Sequence, residues 1–176
     1  MDGEEALGGT TDGLFEYRLE IASHDPAIDP NEILGQNVNI RLSLEDDGER
    51  VFNGYVSHFG PTGQFVDHTL YHATVRPWLC FLGFTTDCRI FPKMSVPDIV
   101  KLIFRKYREA EFADSLLEKY ATRDHTVQYH ESDLHFVTRL LQEEGIYYFF
   151  KHEEGKHTLV LADAPSAHKP VPGYEK

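Results

Sequence analysis

The stretch from Val127 to Asp163, VQYHESDLHFVTRLLQEEGIYYFFKHEEGKHTLVLAD, constrains the fold more than any other. It reads as strand, helix and hairpin, and each boundary has a chemical cause. A short strand at Val127–Tyr129 runs into Glu131-Ser132-Asp133, where Ser132 can offer its hydroxyl to a free backbone N–H and Asp133 adds negative charge to the first turn. Leu134, Val137, Leu140 and Leu141, with Phe136 beside them, follow the i, i+3, i+7 spacing of a buried helical stripe. Gly145 supplies the positive φ that a helix end commonly needs. Ile146–His152 and His157–Asp163 are then β-prone runs joined by Glu153-Glu154-Gly155-Lys156. The stretch predicts a helix near 132–144 and a hairpin over 146–163.

Upstream the chain is dominated by alternation. Phe15, Tyr17, Leu19 and Ile21 fall on one strand face, as do Val38, Ile40, Leu42 and Leu44. Between these strands, Asp29-Pro30-Asn31-Glu32 reads as N-cap, proline at the first helical position and an acidic third, giving one helical turn that stops at Gly35. Glu45-Asp46-Asp47-Gly48 reads as a turn, with Val51–Phe59 and His68–Leu79 as further strands. Such consecutive antiparallel strands without a β-α-β pattern argue a barrel or a strongly curved sheet. Ser95-Val96-Pro97-Asp98 is a capping box that opens a helix over 96–107, with Ile99, Val100, Ile103, Phe104 and Tyr107 on one stripe. Residues 108–122 are read as helix from the spacing of Phe112, Leu116 and Leu117. The fold class is mainly β (α+β), with two or three short helices.

A formal charge of −12 leaves too little positive charge to displace counterions from phosphates, so a nucleic-acid partner is disfavoured. No apolar run approaches the roughly 20 residues that span a bilayer, and MDGEEALGGTTDG has neither the basic nor the apolar region of a signal peptide. Cys80 and Cys88 are read as free structural thiols in apolar or strand-like contexts.

The ten histidines invite a metal hypothesis, but their spacings do not support one. His125, His130 and His135 match neither a helical face nor a zinc-protease motif, and His68 and His72 share a strand face. His152 and His157 flank the hairpin turn and could approach across it. Scattered surface histidines are the expectation, with no metal site and no cofactor. Glu143 and Glu144 read as a solvated helix end; no G-x-S-x-G elbow or nucleotide loop is present, and no catalytic residue is assigned.

Aromatic side chains provide the structural and interface candidates. Trp78 and Phe81 lie in the most apolar segment and read as core between elements. Tyr147, Tyr148, Phe149 and Phe150 follow one another in a strand, so both strand faces must be covered. A second layer within the same domain is the favoured cover, and a subunit interface is the alternative.

The stretch YHESDLHFVTRLLQEEGIYYFFKHEEGKHTLVLAD resembles the signature of the valine–glycine repeat (VgrG) spike proteins of bacterial type VI secretion, relatives of the late-control and hub proteins of contractile phage tails. FEYRLEIASHDPAIDPNEILGQ and VRPWLCFLGFTTDCRIFPKMSVPDIV extend the resemblance over roughly residues 14–163. It implies antiparallel barrels of the tail-hub type, with residues 14–92 in a first barrel region and 93–163 in part of a second. Residues 1–13 are then an unstructured leader and 164–176 an extended tail. It also implies strand character somewhere in 108–122, against the helical spacing. In function it implies a non-enzymatic spike base that forms a homotrimer, caps the inner-tube ring, associates with effector or adaptor proteins, and leaves the bacterial cytoplasm without a signal peptide. A phage tail hub is the alternative reading, and a hydrolase using a barrel cleft a distant third.

Overall fold

The computed structural model describes residues 3–5, 13–44 and 48–167. The expected Asp-Gly turn, most of the leader and the tail beyond Ala167 lie outside them, although Gly3–Glu5 within the leader form a strand. In chain order the elements are β1 (Gly3–Glu5), β2 (Tyr17–Ser23), α1 (Pro30–Ile33), β3 (Asn37–Ser43), β4 (Glu49–Phe65) and β5 (His68–Arg76). A 3-10 helix at Trp78–Phe84 leads to β6 (Thr86–Met94), α2 (Val96–Phe104), β7 (Phe112–Ser115) and β8 (Arg123–Ser132). The chain then forms α3 (Asp133–Glu143), β9 (Tyr147–Glu153) and β10 (Lys156–Ala162). It divides into two compact units. One comprises residues 7–77 with the hairpin turn His152–His157, and the other 1–6, 78–151 and 158–176.

The first unit holds an antiparallel sheet in the order β2-β5-β4-β3. Val56, Phe59, Tyr71, Ala73 and Val75 form the core, and Tyr17, Leu19, Val38 and Ile40 of the alternating runs pack against it, whereas Ile21, Leu42 and Leu44, which continue those runs, are exposed. Phe59 and Tyr71 stack at 5.1 Å, and the Tyr71 hydroxyl donates to Asp25 O. Asp29 caps α1 by accepting from Asn31 N at 2.9 Å, and Gly35 follows with φ +76°. β4 is 17 residues long and carries register shifts at Val56/His58 and Pro61/Gly63, which let so long a strand bend. Gly54 is required by close approach, because a Cβ there would lie 2.5 Å from Val75 Cγ1 and 3.0 Å from Arg76 O. Gly54→Ala is expected to cost about 1–3 kcal/mol, the usual penalty of overpacking, measured as a lowered denaturant midpoint. An unchanged midpoint would show that this sheet can spread.

The second unit contains a sheet in the order β1-β9-β10-β7 and an antiparallel ribbon, β6-β8. Both longer helices begin at the expected caps. Ser95 Oγ accepts from Asp98 N and donates to Asp98 Oδ2 at 2.6 Å, and Ser132 Oγ accepts from His135 N at 3.1 Å. The buried stripe of α3 is Phe136, Val137, Leu140 and Leu141, and Phe136 stacks on Phe91 at 5.5 Å. Gly145, with φ +70°, ends the helix region and admits the hairpin.

The helical reading of 108–122 is corrected. Phe112–Ser115 is a strand, aligned with Leu159–Ala162 of β10. The extended backbone finds partners that helical spacing does not reveal. Leu159 N donates to Glu111 O, and the Asp163 carboxylate accepts from the N–H groups of Leu117 and Glu118. Phe112 packs edge-on against Phe104, whereas Leu117 is exposed. The β7–β10 pairing is also parallel, which departs from the all-antiparallel expectation; the chain returns to it through β8, α3 and β9.

Candidate functional site: a buried polar network in each unit

The first unit is built around Asn53 of β4, which is fully buried. Its amide nitrogen donates to Asn37 Oδ1 at 2.7 Å, Asn39 Oδ1 at 2.8 Å and Val38 O at 3.2 Å, tying β4 to β3 through side chains as well as backbone. The hairpin turn completes the set. Asn53 N donates to His152 Nδ1 at 3.1 Å, and His157 Nδ1 lies 2.8 Å from Asn53 Oδ1, where it donates as N–H. Asn39 Oδ1 accepts from Gly155 N, while Glu154 accepts from Asn39 Nδ2 and Arg41.

Phe15 and Phe52 pack edge-on to the His152 ring at 4.9 and 5.7 Å, and Phe15 and Tyr55 to that of His157 at 5.7 and 5.8 Å. Burial, reinforced by the neighbouring His152, pushes the His157 pKa down to about 3. These two imidazoles are therefore core groups, which corrects the reading of them as surface histidines. Their backbone and amide partners lie about a hundred residues away in sequence and leave no local signal.

Asp133 is the equivalent group in the second unit. The sequence places it on the first helical turn as a favourable charge, yet the structure buries it. Its carboxylate accepts from the Arg89 guanidinium, from Gln128 Nε2 at 2.8 Å and from the Tyr107 hydroxyl at 3.0 Å. Arg89 Nε also donates to Gln128 Oε1 at 2.8 Å, so a bridge links β6, β8 and the start of α3. Burial raises the Tyr107 pKa, consistent with a phenol that stays a donor. At the other end of α3, Arg123 pairs with Glu143 and Glu144, and Arg139 with Glu131 and Glu143. The Arg123 hydrogen bond holds Glu143 below the usual carboxylate range, the reverse of what a general acid needs. Both networks tie neighbouring elements together through several hydrogen bonds at one buried side chain and are suited to fixing geometry.

The aromatic candidates lie as follows. Trp78 is fully buried, donates to Glu111 O at 3.2 Å and meets Phe104 edge-on at 5.0 Å. Phe81 is half-buried and 6.4 Å from exposed Phe84. Tyr148, Phe149 and Phe150 are buried; Phe149 packs with Val160 and Ala162. Tyr147 is half-buried and donates to Ala164 O at 2.8 Å. Cys80 is buried, Cys88 exposed, and both are free thiols. The ribbon exposes one apolar cross-strand pair, Ile90 and Val127, with Tyr129 beside it.

The chain matches the family described as phage tail baseplate hub (GPD) over residues 10–176. It belongs to that family. It is 42% identical to the type VI secretion system spike protein VgrG1b of Pseudomonas aeruginosa over 99% of its own length, and 32% identical to the spike protein VgrG3 of Vibrio cholerae over 90%. It spans 23% and 16% of those two relatives, so it corresponds to about a quarter or less of each. Among solved structures it resembles the E. coli c3393 protein, described as a type VI secretion component with structural similarity to T4 bacteriophage tail proteins gp27 and gp5. That match has a TM-score of 0.82 at 28% identity and covers 96% of this chain and 46% of the other. The mainly β fold with short helices is thus a tail-hub fold.

Proposed function

We propose that this chain acts as part of the base of a type VI secretion spike, working by shape and not by catalysis. The observation that carries the reading is the 42% identity to VgrG1b over 99% of this chain, which matches 23% of that protein. In this role three copies form a ring whose barrels, drawn from residues 14–92 and 93–163, cap the inner tube. The ring travels out with the tube when the sheath contracts, and effector or adaptor proteins ride on the completed spike. The buried networks around Asn53 and Asp133 suit a part that must carry load without changing shape. Trp78 and the Tyr147–Phe150 run serve as its internal packing, with Phe81 nearer the surface. A contractile phage tail hub is the second reading, favoured by the family's own description.

The test is a chimera in which this chain replaces the matching segment of VgrG1b. Release of the inner-tube protein into the medium is expected to continue at a level comparable to the parent. A stable, soluble chimera that assembles no firing machine would overturn the reading.

A further inference from the structure

In the first unit the ladder between β2 and β5 ends at the pair Ser23 and Thr69. The next residues outward, His24 and His68, therefore emerge side by side, with ring centroids 4.0 Å apart. β4 and β5 are joined by the two-residue turn Val66-Asp67, which follows the pair Phe65 and His68. The turn sets the Asp67 carboxylate against both rings: Oδ1 lies 2.8 Å from His68 Nδ1, and Oδ2 lies 3.8 Å from His24 Nδ1. One nitrogen from each imidazole and one carboxylate oxygen fall within 4.8 Å of one another. Val66 holds the turn with φ 57°, a left-handed conformation unfavourable for a β-branched residue. The strain thus sits in the turn that presents Asp67.

We propose that His24, Asp67 and His68 bind one divalent first-row transition ion, with zinc as the reference case. Two imidazoles and a carboxylate are ordinary zinc ligands, and three protein ligands leave a fourth position for water. At zinc–ligand distances of about 2.0–2.1 Å, ligand atoms in a tetrahedral shell stand roughly 3.3 Å apart. One ligand atom from each of the three residues lies within 4.8 Å of the others, wider than that value, so the three exposed or half-exposed side chains draw together as the ion binds. His24 and Asp67 have side-chain exposures of 75% and 69%, which leaves the ion free access from solvent. Bound metal would pin the end of β2 to the β4–β5 turn. The sequence expectation of no metal site rested on spacing along the chain, and His24 lies too far from Asp67 and His68 to register there.

The experiment is a calorimetric zinc titration of the chain prepared without a histidine tag, repeated with cobalt(II) to read ligand geometry from its visible bands. One equivalent is expected to bind the parent chain and the control His125→Ala. His24→Ala, Asp67→Ala and His68→Ala should each weaken binding by at least about tenfold, while their metal-free melting temperatures stay at the parent value. His24→Gln serves as the second variant should His24→Ala alter the fold. Absence of a saturable equivalent in the parent overturns the site. So does binding that survives loss of His24 or His68, which would place the ion on other histidines such as His58 and His72.

Discussion

Asp133→Ala is expected to destabilise the chain by about 3–5 kcal/mol, because Arg89, Gln128 and Tyr107 all lose their buried acceptor and the guanidinium keeps only the half-exposed Asp87 carboxylate, 3.0 Å from its Nε. The comparison with Arg89→Met and with the double variant separates this from a simple sum. If the carboxylate chiefly compensates Arg89, the pair Arg89→Met and Asp133→Leu should recover much of the loss, since an apolar pair avoids both desolvation penalties. Denaturant titration followed by fluorescence of Trp78, the single tryptophan and buried in the same unit, provides the measurement. A loss below about 1 kcal/mol for Asp133→Ala would mean that the ion pair is solvated and that α3 is held by its apolar stripe alone.

The second large effect is acid sensitivity centred on His157. Its folded pKa is pushed down to about 3 from an ordinary 6.5. As pH falls, the unfolded chain therefore takes up a proton that the folded chain refuses. The stabilisation is full above 6.5 and drains away between 6.5 and about 3. At about 1.4 kcal/mol per pH unit, roughly 3 kcal/mol is lost by pH 4.5. Glu16, held down chiefly by its hydrogen bond to Arg76, and Glu143, held down by Arg123, add their own losses only below their ordinary 4.5. The upper window thus belongs to the imidazole. Stability measured from pH 7 to pH 5 should decline in the parent chain, and the decline should flatten in His157→Asn, whose amide can still donate to Asn53. A parent chain with constant stability over that interval would show that the turn admits water or a proton.

The elements were legible where their causes are local. Ser95 and Ser132 announce helix starts by a hydroxyl three residues from the N–H it accepts, and Gly145 announces an ending by its own φ. Alternation gave Tyr17, Leu19, Val38 and Ile40 for the same reason, since a strand displays its pattern along itself, but it does not mark where the core stops, and Ile21, Leu42 and Leu44 continue the pattern while exposed. Legibility failed where the deciding partner is remote. Phe112–Ser115 carries helical spacing, but β10 supplies its register from more than forty residues downstream. Asp133 looks like a surface charge until Arg89 of β6 reaches it, and His152 and His157 look like turn residues until Asn53 does. His24, Asp67 and His68 meet only because one ladder ends where another turns.

The hairpin turn has a consequence for the order of events on the ribosome. Asn53 and His157 are 104 residues apart, and at about 5–20 residues per second the second partner emerges roughly 5–20 s after the first. Throughout that interval β3 and β4 can pair, but the Asn53 backbone N–H and amide oxygen lack their imidazole partners. The unit made first is therefore closed only when the much later hairpin turn arrives. Newly made copies spend those seconds with an open polar core, until the hairpin turn closes it.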